Sequence, residues 1–132
     1  MPLRSIQPIS FYDKDLFWED DANFLTAMAA LSAISRGEVD VEGFFDKDKW
    51  ATYFANTFVF ECYHGNMDPN LRFYFHPLNK VFEPVNYDNS CGQTGNGRIG
   101  ELMPVEGELA YLILKDDEIR SKVKDELLWW RD

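Results

Sequence analysis

The sequence has few of the residues that crosslink a small domain or build a zinc site. Its 132 residues include two cysteines, Cys62 and Cys91, and two histidines, His64 and His76. One cysteine pair is not the disulfide framework of a small secreted scaffold, and no Cys-His spacing fits zinc. We therefore expect reduced, buried thiols, with a single bridge as the alternative if the protein is exported.

Basic residues are also scarce, since 13 lysines and arginines face 23 acidic residues and give a formal net charge of −10. Nucleic acids and anionic membranes are attracted by basic surfaces, so we expect neither as a partner. A nucleotide would need a divalent metal between its phosphates and such a chain. The simpler interpretation is that the charge maintains solubility.

Long apolar runs are missing as well. No stretch approaches the roughly 20 apolar residues that span a bilayer. Residues 1–10 do not resemble a signal peptide, because prolines and polar residues interrupt any apolar run. These patterns predict a soluble chain, and they assign neither a cellular location nor an oligomeric state.

The residues that are present suit a packed core, because 45% are hydrophobic and 16% aromatic. We predict a single domain of the α+β class that is mainly helical and contains a β-hairpin. Apolar residues recur at helical spacing in four segments, whereas two short segments alternate as strands do. The predicted helices cover residues 21–36, 47–62, 105–114 and 117–130, the strands cover 71–76 and 81–87, and a glycine-rich loop covers 89–103.

Polar residues able to do chemistry gather just after the second helix. His64, Asp68 and Asn70 lie within seven residues, and Asp88 follows across the hairpin. These residue types bind Mg²⁺ or Mn²⁺ through oxygen, or transfer a proton. The alternative is structural, since Asp and Asn beside Pro69 are also typical of a turn.

The other polar positions near the hairpin have structural interpretations. We expect His76 to be exposed at the hairpin tip, and Arg72 to pair with Glu83 across the strands. Pro84 cannot donate to a ladder, so the second strand should be an edge or carry a bulge. Neither a Gly-x-Ser-x-Gly elbow nor a phosphate-binding glycine loop occurs in the sequence.

Residues 70–88 read NLRFYFHPLNKVFEPVNYD. This run resembles the signature of CotH kinase-like proteins, in which a polar loop ending in Asn precedes RFYxNPxTGKxEPIxxD. Residues 46–60, DKDKWATYFANTFVF, are similar to the helix that precedes that loop. The resemblance covers residues 44–90, about a third of the chain.

The resemblance implies part of the large lobe of an atypical protein kinase, which uses ATP and Mg²⁺ (or Mn²⁺) to phosphorylate serine or threonine on a protein substrate. It places Asn70 and Asp88 at the metal and cofactor positions. Kinase loops carry the catalytic Asp five residues before that Asn, where this sequence has Gly65. Asp68 or His64 would then serve the acceptor hydroxyl.

No counterpart of a small lobe precedes residue 44, so we expect a fragment of a longer protein or a relative that has lost transfer activity. Two other functions stay open. One is a non-catalytic, acidic protein-interaction module, and the other is a metal-dependent hydrolase that uses the same polar cluster.

Overall fold

The computed structural model describes residues 22–67, 70–87 and 109–131. These residues form four α-helices and one two-stranded antiparallel sheet, an α+β arrangement that is mainly helical, as predicted. In chain order the elements are α1 (Ala22–Ser35), α2 (Lys47–Val59), a 3₁₀ turn (His64–Asn66), β1 (Arg72–Phe75), β2 (Phe82–Val85), α3 (Leu109–Lys115) and α4 (Asp117–Arg131).

Helix α2 lies at the centre of the packing. Its N-cap Asp46 accepts a hydrogen bond from the backbone N–H of Lys49 at 3.0 Å, which satisfies one of the free amides of the first turn. Trp50 and Phe54 follow at i, i+4 spacing, and both side chains are fully buried. The helix packs against α4 and β2, so its aromatic face supplies the middle of the core.

The hairpin is fixed to α2 through one carbonyl. The backbone oxygen of Phe82 accepts from the indole N–H of Trp50 at 2.9 Å and from the backbone N–H of Asp46 at 3.0 Å. The N–H of Phe82 donates to the carbonyl of Phe44 at 2.7 Å. The start of β2 is therefore tied to the segment that leads into α2.

The register of the hairpin also explains Pro84. Phe73 pairs with Pro84 and Phe75 with Phe82, without a bulge. Because alternate residues of a strand direct their amides to the same side, the nitrogen of Pro84 lies on the side of the Phe82 amide, away from β1. Pro84 therefore removes no hydrogen bond from the hairpin, and the prediction of an edge strand holds.

The remaining helices close the core and add ion pairs at the surface. One hydrophobic cluster includes buried residues of all four helices and of the hairpin, among them Ile34, Ile113 and Ile119. Across α2 and α4, Lys47 lies 2.5 Å from Glu118, and Lys122 lies 2.7 Å from Asp48. Exposed pairs of this kind stabilise little, so apolar burial carries the fold.

Most element boundaries agree with the sequence. The first, second and fourth helices and both strands begin and end within three residues of their predicted bounds. The third helix is described as Leu109–Lys115, and its predicted start at residue 105 lies outside the described residues. The predicted loop 89–103 lies outside the described residues. In the described part of the chain, no helix is long and apolar enough to cross a membrane.

Candidate functional site

The candidate site is carried by the loop that follows α2, and the loop begins with a strained turn. Phe60 is the C-cap, and Glu61 has a φ of 52°. The N–H of Cys62 then donates to the carbonyl of Thr57 at 2.9 Å, the bond that defines a Schellman motif. Glycine or asparagine is usual at the left-handed position, so Glu61 is an unfavourable choice for this turn.

Cys62 corrects one prediction. We expected reduced thiols, but Cys62 is disulfide-bonded and buried. The chain has one other cysteine, Cys91, which lies outside the described residues. The expectation was wrong because cysteine count alone does not report which thiols the fold brings together. Bridges of this kind persist in oxidising compartments.

Asn66 anchors the loop to α2 through a buried hydrogen bond. Its side chain is 2% exposed, and its Nδ2 donates to the hydroxyl of Thr57 at 3.2 Å. That hydroxyl donates its own proton to the carbonyl of Phe54 at 2.9 Å, so it can only accept from Asn66. The arrangement leaves Oδ1 of Asn66 buried without a hydrogen-bond partner.

The structure brings two of the predicted site residues together. Nδ2 of Asn70 lies 3.1 Å from Nε2 of His64 and 3.4 Å from the His64 carbonyl oxygen. Since the carbonyl can only accept, the amide nitrogen is the atom that faces the histidine. In the neutral tautomer that carries its proton on Nδ1, the Nε2 of His64 accepts from this amide. His64 is exposed and Asn70 half-buried, so the pair can be reached from solvent.

Tyr63, the residue before His64, contacts Phe58 in the last turn of α2. Its hydroxyl donates to the carbonyl of Phe58 at 3.3 Å. Burial raises the pKa of the Tyr63 phenol, and the nearby Glu61 carboxylate raises it further. Tyr63 therefore remains protonated and acts as a structural support of the loop.

The hairpin brings its two flanking segments to one end. Arg72 pairs with Val85 in the register, and its guanidinium lies 4.9 Å from the centre of the Tyr87 ring. Asn70 precedes β1 and Tyr87 follows β2, so both belong to the open end of the hairpin. The other predicted site residues, Asp68 and Asp88, lie outside the described residues.

Two secondary predictions around the hairpin have definite outcomes. Glu83 lies opposite Tyr74 and pairs with Lys49 of α2 at 2.7 Å, so the prediction of an Arg72–Glu83 pair is wrong. The reason is the register of the hairpin, in which Glu83 pairs with Tyr74, two positions away from Arg72.

His76 is half-buried at the turn, where its Nδ1 accepts from the backbone amides of Leu78 and Asn79 at 3.3 and 3.2 Å. It therefore caps the turn.

The amide oxygen of Asn70 is the kind of ligand that a hard cation prefers, but one amide alone does not make a metal site. Among residues 22–67, 70–87 and 109–131, no three His, Cys, Asp or Glu side chains lie together in a way that could hold a metal. The amide nitrogen of Asn70 is oriented by His64, so its Oδ1 is the atom that a cation would take. A site here would need carboxylates in addition.

Comparison with known proteins adds no family to this description. No family model, curated protein or solved structure matches the chain. The functional interpretation therefore depends on the chemistry of the loop and hairpin.

Sequence reasoning missed two features of this region. One is the hydrogen bond between Thr57 and Asn66, since the sequence does not show that these two polar side chains are buried together. The other is the left-handed conformation of Glu61, which nothing in the sequence distinguishes from an ordinary surface glutamate.

Proposed function

We propose that this chain binds a nucleoside triphosphate through a divalent cation at the open end of the hairpin, as part of a kinase-like domain similar to the CotH type. In this proposal Asn70 and Asp88 hold Mg²⁺ or Mn²⁺. The cation would neutralise the phosphate oxygens of ATP, which an acidic surface would otherwise repel.

The observation that carries the proposal is the contact between His64 and Asn70. An amide that ligates a metal must present its oxygen, and a hydrogen bond on its nitrogen fixes that orientation. His64 supplies this bond at 3.1 Å. The register of β1 and β2 supports the proposal further, because the segments that carry Asn70 and Tyr87 leave the hairpin at the same end.

Phosphate transfer to a serine or threonine would need a group that accepts the hydroxyl proton. Gly65 stands at the kinase position for that group, and it is buried in the 3₁₀ turn. The proposal assigns the role to Asp68 or to His64. His64 could accept the proton only after its Nε2 releases the amide of Asn70. We expect little or no phosphate transfer from the isolated chain, and the proposal extends protein phosphorylation only to a protein in which a small lobe completes the nucleotide site.

Calorimetric titration with ATP tests the proposal. We expect binding in the presence of Mg²⁺, none with EDTA, and a loss of about tenfold or more in affinity for Asn70→Ala. Asn79→Ala is the matched control, because Asn79 lies exposed in the hairpin turn at the opposite end. Equal ATP affinities for the Asn70 and Asn79 variants would refute the role of Asn70. Binding heats that do not depend on Mg²⁺ would refute the claim that a metal ion mediates ATP binding.

A second candidate function is a non-catalytic interaction module. The observation in its favour is an exposed aromatic surface, in which the Trp129 side chain is 70% exposed. Tryptophan is enriched among the residues that dominate the energy of protein interfaces. This candidate predicts binding to a partner protein without any requirement for ATP.

A further inference from the structure

The C-terminal ends of α2 and α4 form an aromatic surface beside unpaired carboxylates. We define the aromatic surface as Phe60, Trp129 and Trp130, which are 54%, 70% and 46% exposed. The Phe60 and Trp130 rings meet edge to face at 5.8 Å, and Trp129 and Trp130 do so at 5.3 Å. The three rings are therefore continuous across two helices.

A shallow, open depression of about 380 Å³ lies on α4, and within the described residues Asp125, Glu126 and Trp129 line it. Asp125 and Glu126 precede Trp129 by four and three positions on α4, so all three lie on neighbouring helical rows. The depression combines one indole ring with two carboxylates.

The two carboxylates differ from the other acids of α4. At the start of the helix, Asp117 pairs with Arg120 at 2.7 Å and Glu118 pairs with Lys47 at 2.5 Å. Over the part of the chain that the structure describes, neither Asp125 nor Glu126 makes an ion pair. The negative charge beside Trp129 is thus available to an external cation.

We propose that this surface binds a basic segment of a partner protein, with an arginine side chain over Trp129 and its guanidinium between Asp125 and Glu126. A guanidinium stacks on an indole and donates to carboxylates in the same plane, which suits this combination better than an ammonium. The net charge of −10 would attract such a segment and repel a second copy of this chain or an anionic membrane. The inference deepens the interaction-module candidate and does not depend on nucleotide binding.

The test is a titration of the full chain with a short synthetic peptide containing arginines, followed by tryptophan fluorescence and calorimetry. We expect saturable binding at peptide concentrations below about 1 mM that weakens with salt, and no binding of a glutamate version of the peptide. Trp129→Ala should weaken binding about tenfold, and Trp129→Phe should weaken it less because a ring remains.

Charge is tested with two matched double variants. Asp125→Asn with Glu126→Gln should weaken binding about tenfold, whereas Asp40→Asn with Glu42→Gln removes the same charge elsewhere and should change it less than about twofold. An equal loss of peptide affinity in the two double variants would mean that net charge alone explains the binding, and it would overturn the proposal. No peptide binding by the wild type, or a dimer that Trp129→Ala dissociates, would also overturn it.

The Asn70→Ala variant separates this inference from the nucleotide proposal. It should bind the arginine peptide with unchanged affinity. Loss of ATP binding with retained peptide binding would support both proposals, and failure of either titration in the wild type would count against that proposal alone.

Discussion

Replacing Thr57 with valine should destabilise the protein by removing the anchor of the candidate loop. Valine has the shape of threonine but no hydroxyl, so Nδ2 of Asn66 would lose the acceptor that it meets at 3.2 Å. The Asn66 side chain is 2% exposed, and its Oδ1 already lacks a partner. The whole amide would then be buried without a hydrogen bond.

A buried donor left without a partner costs about 1–3 kcal/mol, whereas the bond from Thr57 to Phe54 contributes little because helix carbonyls keep their backbone partners. For a domain of this size the change corresponds to a fall in Tm of roughly 3–10 °C. The free energy of unfolding should be measured in urea, with Thr57→Ser as the control that retains the hydroxyl. Thr57→Ser should lose only about 1 kcal/mol for its methyl group.

A double-mutant cycle isolates the contact from other effects. Asn66→Leu removes the amide, so adding Thr57→Val to that background should cost much less than it costs in the wild type. We expect a coupling energy of about 1–2 kcal/mol. A Thr57→Val protein as stable as the wild type, or a coupling energy near zero, would refute the argument that this hydrogen bond anchors the loop.

Three further predictions concern the same loop. Glu61→Gly should stabilise the protein by about 1 kcal/mol, because glycine adopts the φ of 52° without steric cost; a lower Tm than the wild type in thermal melts would contradict this. Reducing the disulfide at Cys62 should lower the free energy of unfolding by about 2–4 kcal/mol. The Cys62→Ser variant should be as stable as the reduced wild type, and a reductant should not change its Tm; a wild-type Tm that is equal with and without reductant would disprove this. Because the folded-state pKa of Tyr63 is raised above 10.0, its contribution to stability is complete below pH 10 and is lost as pH rises through the folded pKa. The alkaline fall in Tm should therefore be shallower in Tyr63→Phe than in Tyr74→Phe, and identical profiles would rule this out.

Local patterns in the sequence were sufficient to predict the helices and the hairpin. The apolar residues of α2 recur at helical spacing and those of β1 alternate, so periodicity identified both elements. Asp46 is of a residue type that commonly caps helices, and it caps the first turn of α2. These features depend on neighbours in the chain, which a sequence displays directly.

Features that depend on contacts between distant segments could not be predicted in the same way. The partner of Glu83 proved to be Lys49, because hairpin register and the packing of α2 decide which charges meet. The contact between Asn66 and Thr57 needs the Schellman turn to reverse the chain, and a left-handed glutamate gives no signal of that turn. In the candidate site, the sequence predicted that His64 and Asn70 lie near each other. The structure was needed to show that the amide nitrogen of Asn70 faces the histidine.

The most direct test of the central claim is paramagnetic relaxation by Mn²⁺-ATP in an NMR spectrum of the labelled chain. Mn²⁺ broadens resonances strongly only near its binding site. If Asn70 and Asp88 hold the cation, signals of His64, Asn70 and Asp88 should broaden first, and Asn70→Ala should abolish that effect. Broadening centred on the carboxylates of α4, or none at all in the presence of ATP, would contradict a metal-nucleotide site at the end of the hairpin.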